Sequence, residues 1–259
     1  MKNKFWILPA LVSMILISCK KENSGNNLQL VFKFKFDSTQ ERLNNIGQPS
    51  TIPAGHAAQS PIFNKMSAHY IELTSTALIP LGQGAILYKA AETTAGGSNA
   101  IDFAKASFAG NNETFYSLPQ KDIPKGEYEW IRISLAYQNA DVKFKVDTTV
   151  NGITINQDFT GTLAGFIGYN SYITTYKVKN QSLTVNGNRK QGYWGFETVI
   201  SGGGYTMPFI TSGQAPEGST TVVNPLFATS PIPAGSCVVT AAFVPGKLVI
   251  TGNETKDII

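Results

Sequence analysis

The chain has 259 residues, a formal charge of +4 and 15% charged residues. Its charges are sparse and mixed, with no long basic run, so it lacks the electrostatic footprint of a nucleic-acid binder. It holds two cysteines and two histidines. Lys2 and Lys4 precede an apolar run from Phe5 to Ile17, interrupted by Pro9. The run is too short to span a bilayer, which takes about 20 apolar residues, and it has the flanks of a secretory signal. Leu16-Ile17-Ser18-Cys19 closes it as a bacterial lipobox, with a small residue before the cysteine and a leucine three before it. Residues 1–18 are therefore expected to be a lipoprotein signal peptide, and Cys19 is expected to carry the lipid. Two or more acyl chains hold a protein stably on a membrane, so anchoring rather than spanning is expected. Residues 19–27 read as a polar tether without the apolar surface that folding needs.

Residues 28–259 read as one β-sandwich domain, since a length of this order is normal for a single large sandwich. Leu28 to Phe36 alternates apolar and polar side chains, the period of a half-buried strand. Ser38 and Glu41 have capping-box spacing, and Gly47 supplies a stop, so a short helix is expected over Asp37–Leu43. Gln48 to Asn64 reads as a long loop. Strands are expected at Met66–Leu73, Gly84–Lys89, Phe115–Leu118 and Gly126–Gln138. In the first of these, Ser67, His69, Ile71 and Leu73 are expected on one face and Ala68, Tyr70 and Glu72 on the other. Ile101–Phe108 reads as a weak helix or an irregular edge. Asn139-Ala140 reads as a tight hairpin before a strand over Asp141–Thr148. Asn151-Gly152 tolerates the positive φ of a hairpin turn, so Ile153–Phe159 is expected to pair back. Further strands are expected near Tyr172–Val178, Leu183–Val185, Tyr193–Ile200, Ser236–Val244 and Lys247–Thr251, with Ser201–Thr229 a loop region. Lys256–Ile259 looks like the start of another strand, which suggests a chain truncated at its C-terminus. Ile-Pro-x-Gly occurs at Ile52–Gly55, Ile79–Gly82, Ile123–Gly126 and Ile232–Gly235, and reads as type I turn punctuation. The pattern predicts an all-β, antiparallel β-sandwich with long loops and at most one or two short helices.

The usual catalytic signatures are missing. The sequence has no Gly-x-Ser-x-Gly and no His-Glu-x-x-His, and Gly202-Gly203-Gly204 lacks the lysine of a phosphate loop. The carboxylates give no pairing that spacing alone reveals, and the chain is expected not to be an enzyme. Cys237 sits in an apolar, strand-like run and reads as an inert buried thiol. His69 reads as a hydrogen-bonded core histidine on an apolar face. His56 lies in the long loop, and if that loop folds over the strand the two imidazoles meet, a pairing that suits copper. Tyr169, Tyr172, Tyr176, Tyr193, Trp194 and Tyr205 crowd the third quarter of the chain. They read either as sheet core and cross-strand pairs or as a surface that stacks on a ligand.

The Cys19-Lys20-Lys21-Glu22 start resembles lipoproteins of Bacteroidota. Met66-Ser67-Ala68-His69-Tyr70-Ile71-Glu72-Leu73, followed by Ile123-Pro124-Lys125-Gly126-Glu127-Tyr128-Glu129-Trp130-Ile131-Arg132-Ile133, is similar in order to the MbnP-like copper-binding proteins. The similarity covers residues 28–150. It implies a secreted β-sandwich with a copper site built from histidine and a tryptophan, and His69 falls inside the matching stretch.

Three readings follow. The first is a lipid-anchored outer-membrane binding or accessory module, attached through Cys19, with an outer-membrane protein, a small ligand, a metal or a glycan as partner. The second is a copper protein using His69 and His56. The third is a carbohydrate-binding surface using the Tyr169–Tyr205 aromatics. Trp130, Tyr193 and Trp194 are the candidate ligand-binding residues.

Overall fold

The computed structural model describes residues 28–42, 49–55, 57–215, 238–244 and 246–259. Cys19, His56, Cys237 and the Ile232–Gly235 repeat lie outside them. Within the described residues the chain is all-β and sandwich-like, with two single-turn 3-10 segments at Phe103–Lys105 and Gln120–Asp122. The strands, in chain order, begin with β1 (Gln29–Lys33), β2 (Ile62–Thr74), β3 (Ala85–Lys89), β4 (Glu92–Thr93), β5 (Ala100–Asp102) and β6 (Thr114–Pro119). Next come β7 (Gly126–Tyr128), β8 (Trp130–Val150), β9 (Ile153–Phe166), β10 (Ser171–Tyr172), β11 (Thr175–Lys177) and β12 (Ser182–Thr184). β13 (Asn188–Arg189), β14 (Tyr193–Gly202), β15 (Tyr205–Gln214), β16 (Val238–Ala242) and β17 (Leu248–Ile250) complete the set.

The 21-residue β8 is the spine. One of its edges takes β2 along Trp130–Asp141; the other takes β16 along Trp130–Ser134 and then β9 along Tyr137–Val150. The main sheet runs β15-β14-β9-β8-β2-β3, with β16 beside β8. Beyond Asp141 the first edge meets a side chain instead of a strand. Gln59 donates to the Lys143 carbonyl (2.8 Å) and accepts from the Lys143 N–H (2.9 Å), imitating one rung of a ladder. The second layer holds β1 with β6 and β7 with β17. Leu30, Leu118, Ile123, Tyr128 and Ile250 from this layer pack on Leu73 and Leu87 of the main sheet. A second core lies under the β9–β14 half. There Tyr137, Phe166 and Tyr193 form one row across three strands, covered by Ile173, Tyr176 and Val178. Edge-to-face and tilted ring pairs fill it, with centroids 5.0 Å apart for Tyr137–Phe166 and 5.1 Å for Phe166–Tyr176, the spacing aromatic quadrupoles favour.

The structure corrects several local expectations. Residues 37–42 form no helix. Asp37 instead closes an Asx turn, accepting from the Thr39 N–H (3.0 Å) and hydroxyl (2.6 Å), which withdraws the local bonds a helix start needs. Asn139-Ala140 makes no hairpin. Asn139 is paired on both sides, and its buried amide donates to the Tyr137 hydroxyl and the Val178 carbonyl (2.9 Å). A polar side chain satisfied inside the sheet does not end a strand. The turn falls at Asn151-Gly152, both with positive φ (50° and 79°). Ser201–Thr229 is not all loop: Tyr205–Gln214 is β15, folded back on β14 by Gly203-Gly204 at φ 57° and 83°, the two-residue turn glycine permits.

Strand β2 also breaks the alternation its sequence suggests. Asn64 and His69 of β2, and Ala136 of β8, are extra residues in the β2–β8 ladder, and each bulge reverses which face the following residues of its own strand present. Ala68 therefore shares a core cluster with Ile71, not the face of Tyr70. Of the Ile-Pro-x-Gly repeats, Ile79–Gly82 turns one residue later than expected. The Pro80 carbonyl accepts from Gln83 (3.0 Å), with Gly82 at φ 82°, the geometry of a type II turn. Ile123–Gly126 instead follows a 3-10 turn into β7, with Ile123 N–H bonded to the Gln120 carbonyl.

Candidate functional site

The bulge at His69 turns its imidazole towards the β3–β4 corner. Nε2 lies 2.8 Å from Glu92 Oε1, and the ring stacks on Tyr169 at 4.8 Å. The Tyr169 hydroxyl donates to the Asn99 carbonyl, and the Asn99 amide donates to Glu92 Oε2 (2.9 Å). Lys89 Nζ stands 3.2 Å from the same carboxylate. Burial pushes the His69 pKa down, against the opposing pull of Glu92. Burial pushes Glu92 the other way, but hydrogen bonds from Asn99, His69 and Lys89 outweigh it and hold the carboxyl at about 2. The cluster pins two loops to β2 and engages one imidazole nitrogen. It offers a metal His69 and Glu92; among the described residues no three His, Cys, Asp or Glu side chains converge. Copper asks for further soft or imidazole ligands; the other imidazole expected here, His56, lies outside the described residues.

A different site stands at the β9–β14–β15 end of the main sheet. Here the pleat alternates two kinds of row. Tyr137, Phe166 and Tyr193 face the buried aromatic core. Their neighbours Gln138, Gly165, Trp194 and Gly213 form one cross-strand row on the opposite face. Both strands flanking Trp194 present glycine to it. The indole lies over Gly213: a Cβ there would sit 3.0 Å from the Trp194 ring. Gln138 lies over Gly165 in the same way, 3.4 Å from a notional Cβ. The next row on this face is Ala140, Leu163, Phe196 and Thr211. Of these, Gln138, Gly165, Trp194, Leu163, Phe196 and Thr211, with Gln191 and Gly192 at one end, line an open apolar groove of about 610 Å³. That is within the usual size of a ligand site, and an apolar wall with few polar groups is the usual lining.

Of the aromatics singled out in the sequence, Trp194 is thus the one that builds a surface. Tyr193 lines the groove's end, but it is buried, its hydroxyl is 3.0 Å from that of Ser212, and Arg189 stacks on its ring. Tyr176 is core, Tyr169 is spent on His69, and Tyr205 stands exposed at the hairpin tip. Trp130 begins β8, eight residues from Gln138 and so roughly 26 Å along the strand; the fold does not bring it to the groove. Gly165, Phe196, Thr211 and Gly213 escape a reading by motif because their role depends on register across three strands. The one local signal is a tryptophan in a strand whose partner segments are rich in glycine.

No protein family, curated protein or solved structure matches the chain.

Proposed function

We propose that this chain is a lipid-anchored binding module of the outer membrane of a Gram-negative bacterium, and that the Trp194 groove is where it binds. The observation that carries the reading is the half-buried indole between two cross-strand glycines, at the edge of an apolar, uncharged trough. An indole is a large apolar surface with a polar handle, and buried or half-buried tryptophans are the residues on which binding energy concentrates. The ligand this suits is neutral and presents a flat apolar face. A sugar ring has that chemistry, with Gln138 and Thr211 available as polar partners at the rim. The lipobox at Cys19 supports the anchored location. The copper reading draws support only from the resemblance around His69, whose imidazole is held by Glu92.

Two results are expected. In cells, Cys19→Ala releases the protein from the membrane fraction; retention there would contradict the anchor. In the purified protein, with Trp6→Phe/Trp130→Phe as background, Trp194 is the one tryptophan left, and its emission shifts saturably on titration with neutral oligosaccharides or uncharged peptides. Trp194→Ala weakens that binding about 30-fold, the effect of losing a hot-spot side chain worth about 2 kcal/mol. Binding that survives Trp194→Ala, or no saturable shift with either class, would sink the groove as the site.

A further inference from the structure

We propose that the ligand of the Trp194 groove is an extended, uncharged segment of a partner polypeptide, which adds to β15 as one more strand. This rests on the groove reading above and names the partner class.

β15 runs ten residues, Tyr-Thr-Met-Pro-Phe-Ile-Thr-Ser-Gly-Gln, without one charge. It is the last strand of the main sheet, and no described strand pairs with its outer edge. Folded proteins guard such edges with lysine, inward charges, bulges or proline, because the free N–H and C=O groups template another strand. Pro208 is the only such guard here. Its position fixes the direction of the free groups. A two-residue turn makes Gly202 and Tyr205 a hydrogen-bonded pair, so the alternate residues 206, 208, 210, 212 and 214 point their main-chain groups outward. Pro208 falls on that outward set, the place where a strand proline is tolerated. It blocks the part of the edge nearest the hairpin tip. Ile210, Ser212 and Gln214 keep their outward donors, while the Ala215 N–H belongs to the inward set and bonds the Gly192 carbonyl (3.0 Å).

The groove and the free edge are continuous. Thr211 lines the groove, and Gly213 beside it lets the Trp194 indole lean across β15 towards the open side. A strand laid along residues 209–214 sets its alternate side chains on the same face as Phe209, Thr211 and Gly213. Gly213 offers no side chain to compete, so the added residue next to it meets the indole. Further out on that face, Phe209, Met207 and Tyr205 are exposed apolar side chains, which suits a segment with apolar residues at every second position. Main-chain bonds supply the affinity in this mode and the alternate pockets supply selectivity.

The test uses the full chain in detergent and two blocked ten-residue peptides of valine and threonine: one alternating, one with the same composition in two blocks. The alternating peptide is expected to move Trp194 emission and to slow amide exchange at Ile210 and Ser212. The block peptide binds at least tenfold more weakly. Ser212→Pro, which removes an outward N–H, weakens the alternating peptide about tenfold relative to Ser212→Ala, which keeps that N–H and removes the hydroxyl that meets Tyr193. A Trp194 shift without slowed exchange at Ile210 and Ser212, or equal binding by Ser212→Pro, overturns strand addition and leaves the groove reading standing. So does a response to oligosaccharide alone. Slowed exchange that appears with protein concentration and no peptide assigns the edge to a second copy and also overturns the proposal. Silence with every probe overturns both readings.

Discussion

Arg132→Met is expected to lower the unfolding free energy by about 3–5 kcal/mol, the cost of removing one partner of a buried ion pair. Arg132 and Glu72 are cross-strand partners on β8 and β2, and both are 0% exposed. Arg132 donates to the carbonyls of Ala77 (3.0 Å) and Ile79, while Glu72 accepts from the Gly84 N–H (2.6 Å). The pair itself is loose, 3.5 Å between nitrogen and oxygen. Its main work is therefore to hold the 75–84 connection against the sheet from both ends. Gly84 adds to this, because a Cβ there would lie 2.4 Å from the Leu73 carbonyl. With Arg132 gone, Glu72 is a buried charge without a counterion and two carbonyls lose their donor. Glu72→Gln leaves the guanidinium in the same position and is expected to cost a similar amount. The double variant Glu72→Met/Arg132→Met buries no charge, and it should recover part of the loss. Urea unfolding checks this through the midpoint at constant slope. A single-variant cost under about 0.5 kcal/mol, the size of an ordinary surface change, would show that the pair does not anchor the loop.

Glu197→Gln is expected to cost about 1.5–3 kcal/mol, the range for hydrogen bonds to a charged group. Glu197 projects from β14 towards the 171–189 segment, and its carboxylate takes three successive main-chain N–H groups. These come from Lys179 (2.7 Å), Asn180 (2.9 Å) and Gln181 (3.0 Å). Successive amides turned to one point make an anion-binding nest, here filled by the protein's own carboxylate. A glutamine keeps the shape but loses the charge these three donors meet at Oε2, and its NH2 takes the place of Oε1, which the Asn180 N–H also reaches (3.1 Å). The segment it holds also carries Ile173, Tyr176 and Val178 over the Phe166–Tyr193 core. The loss should therefore be local as well as global, with amide exchange accelerating first in residues 171–189. Uniform acceleration along the chain would contradict the nest as the clamp on this layer.

What the sequence reveals of this fold divides by the range of the forces involved. Asn151-Gly152 is correct as a turn because its chemistry is contained in two residues. The alternation of Leu28–Phe36 and Ile131–Ile133 marks strands because burial on one face is a period of two. Asn139-Ala140 misleads because asparagine is a turn residue only until its amide finds partners elsewhere, and Val178 lies 39 positions away. The faces of β2 are lost at its two bulges, Asn64 and His69, which only the β8 ladder defines. The same limit governs the site. Trp194 stands out by residue type, but its neighbours Gly165 and Gly213 come from two other strands. His69 reads as a hydrogen-bonded histidine on local pattern, and it is one; that Glu92 is the partner depends on a corner 23 residues later. Glu197 carries no signal at all, since its partners are main-chain groups of an irregular loop.

The most direct test of the Trp194 groove as the binding surface is amide exchange on the full chain in two settings: in the crude fraction of the cells that make it and after purification. Slower exchange is expected in the crude fraction at residues 209–214 and beside Trp194, with residues around His69 and Trp130 unchanged between the two. Equal exchange at β15 and Trp194 in both settings, or protection that falls on His69 instead, would contradict it.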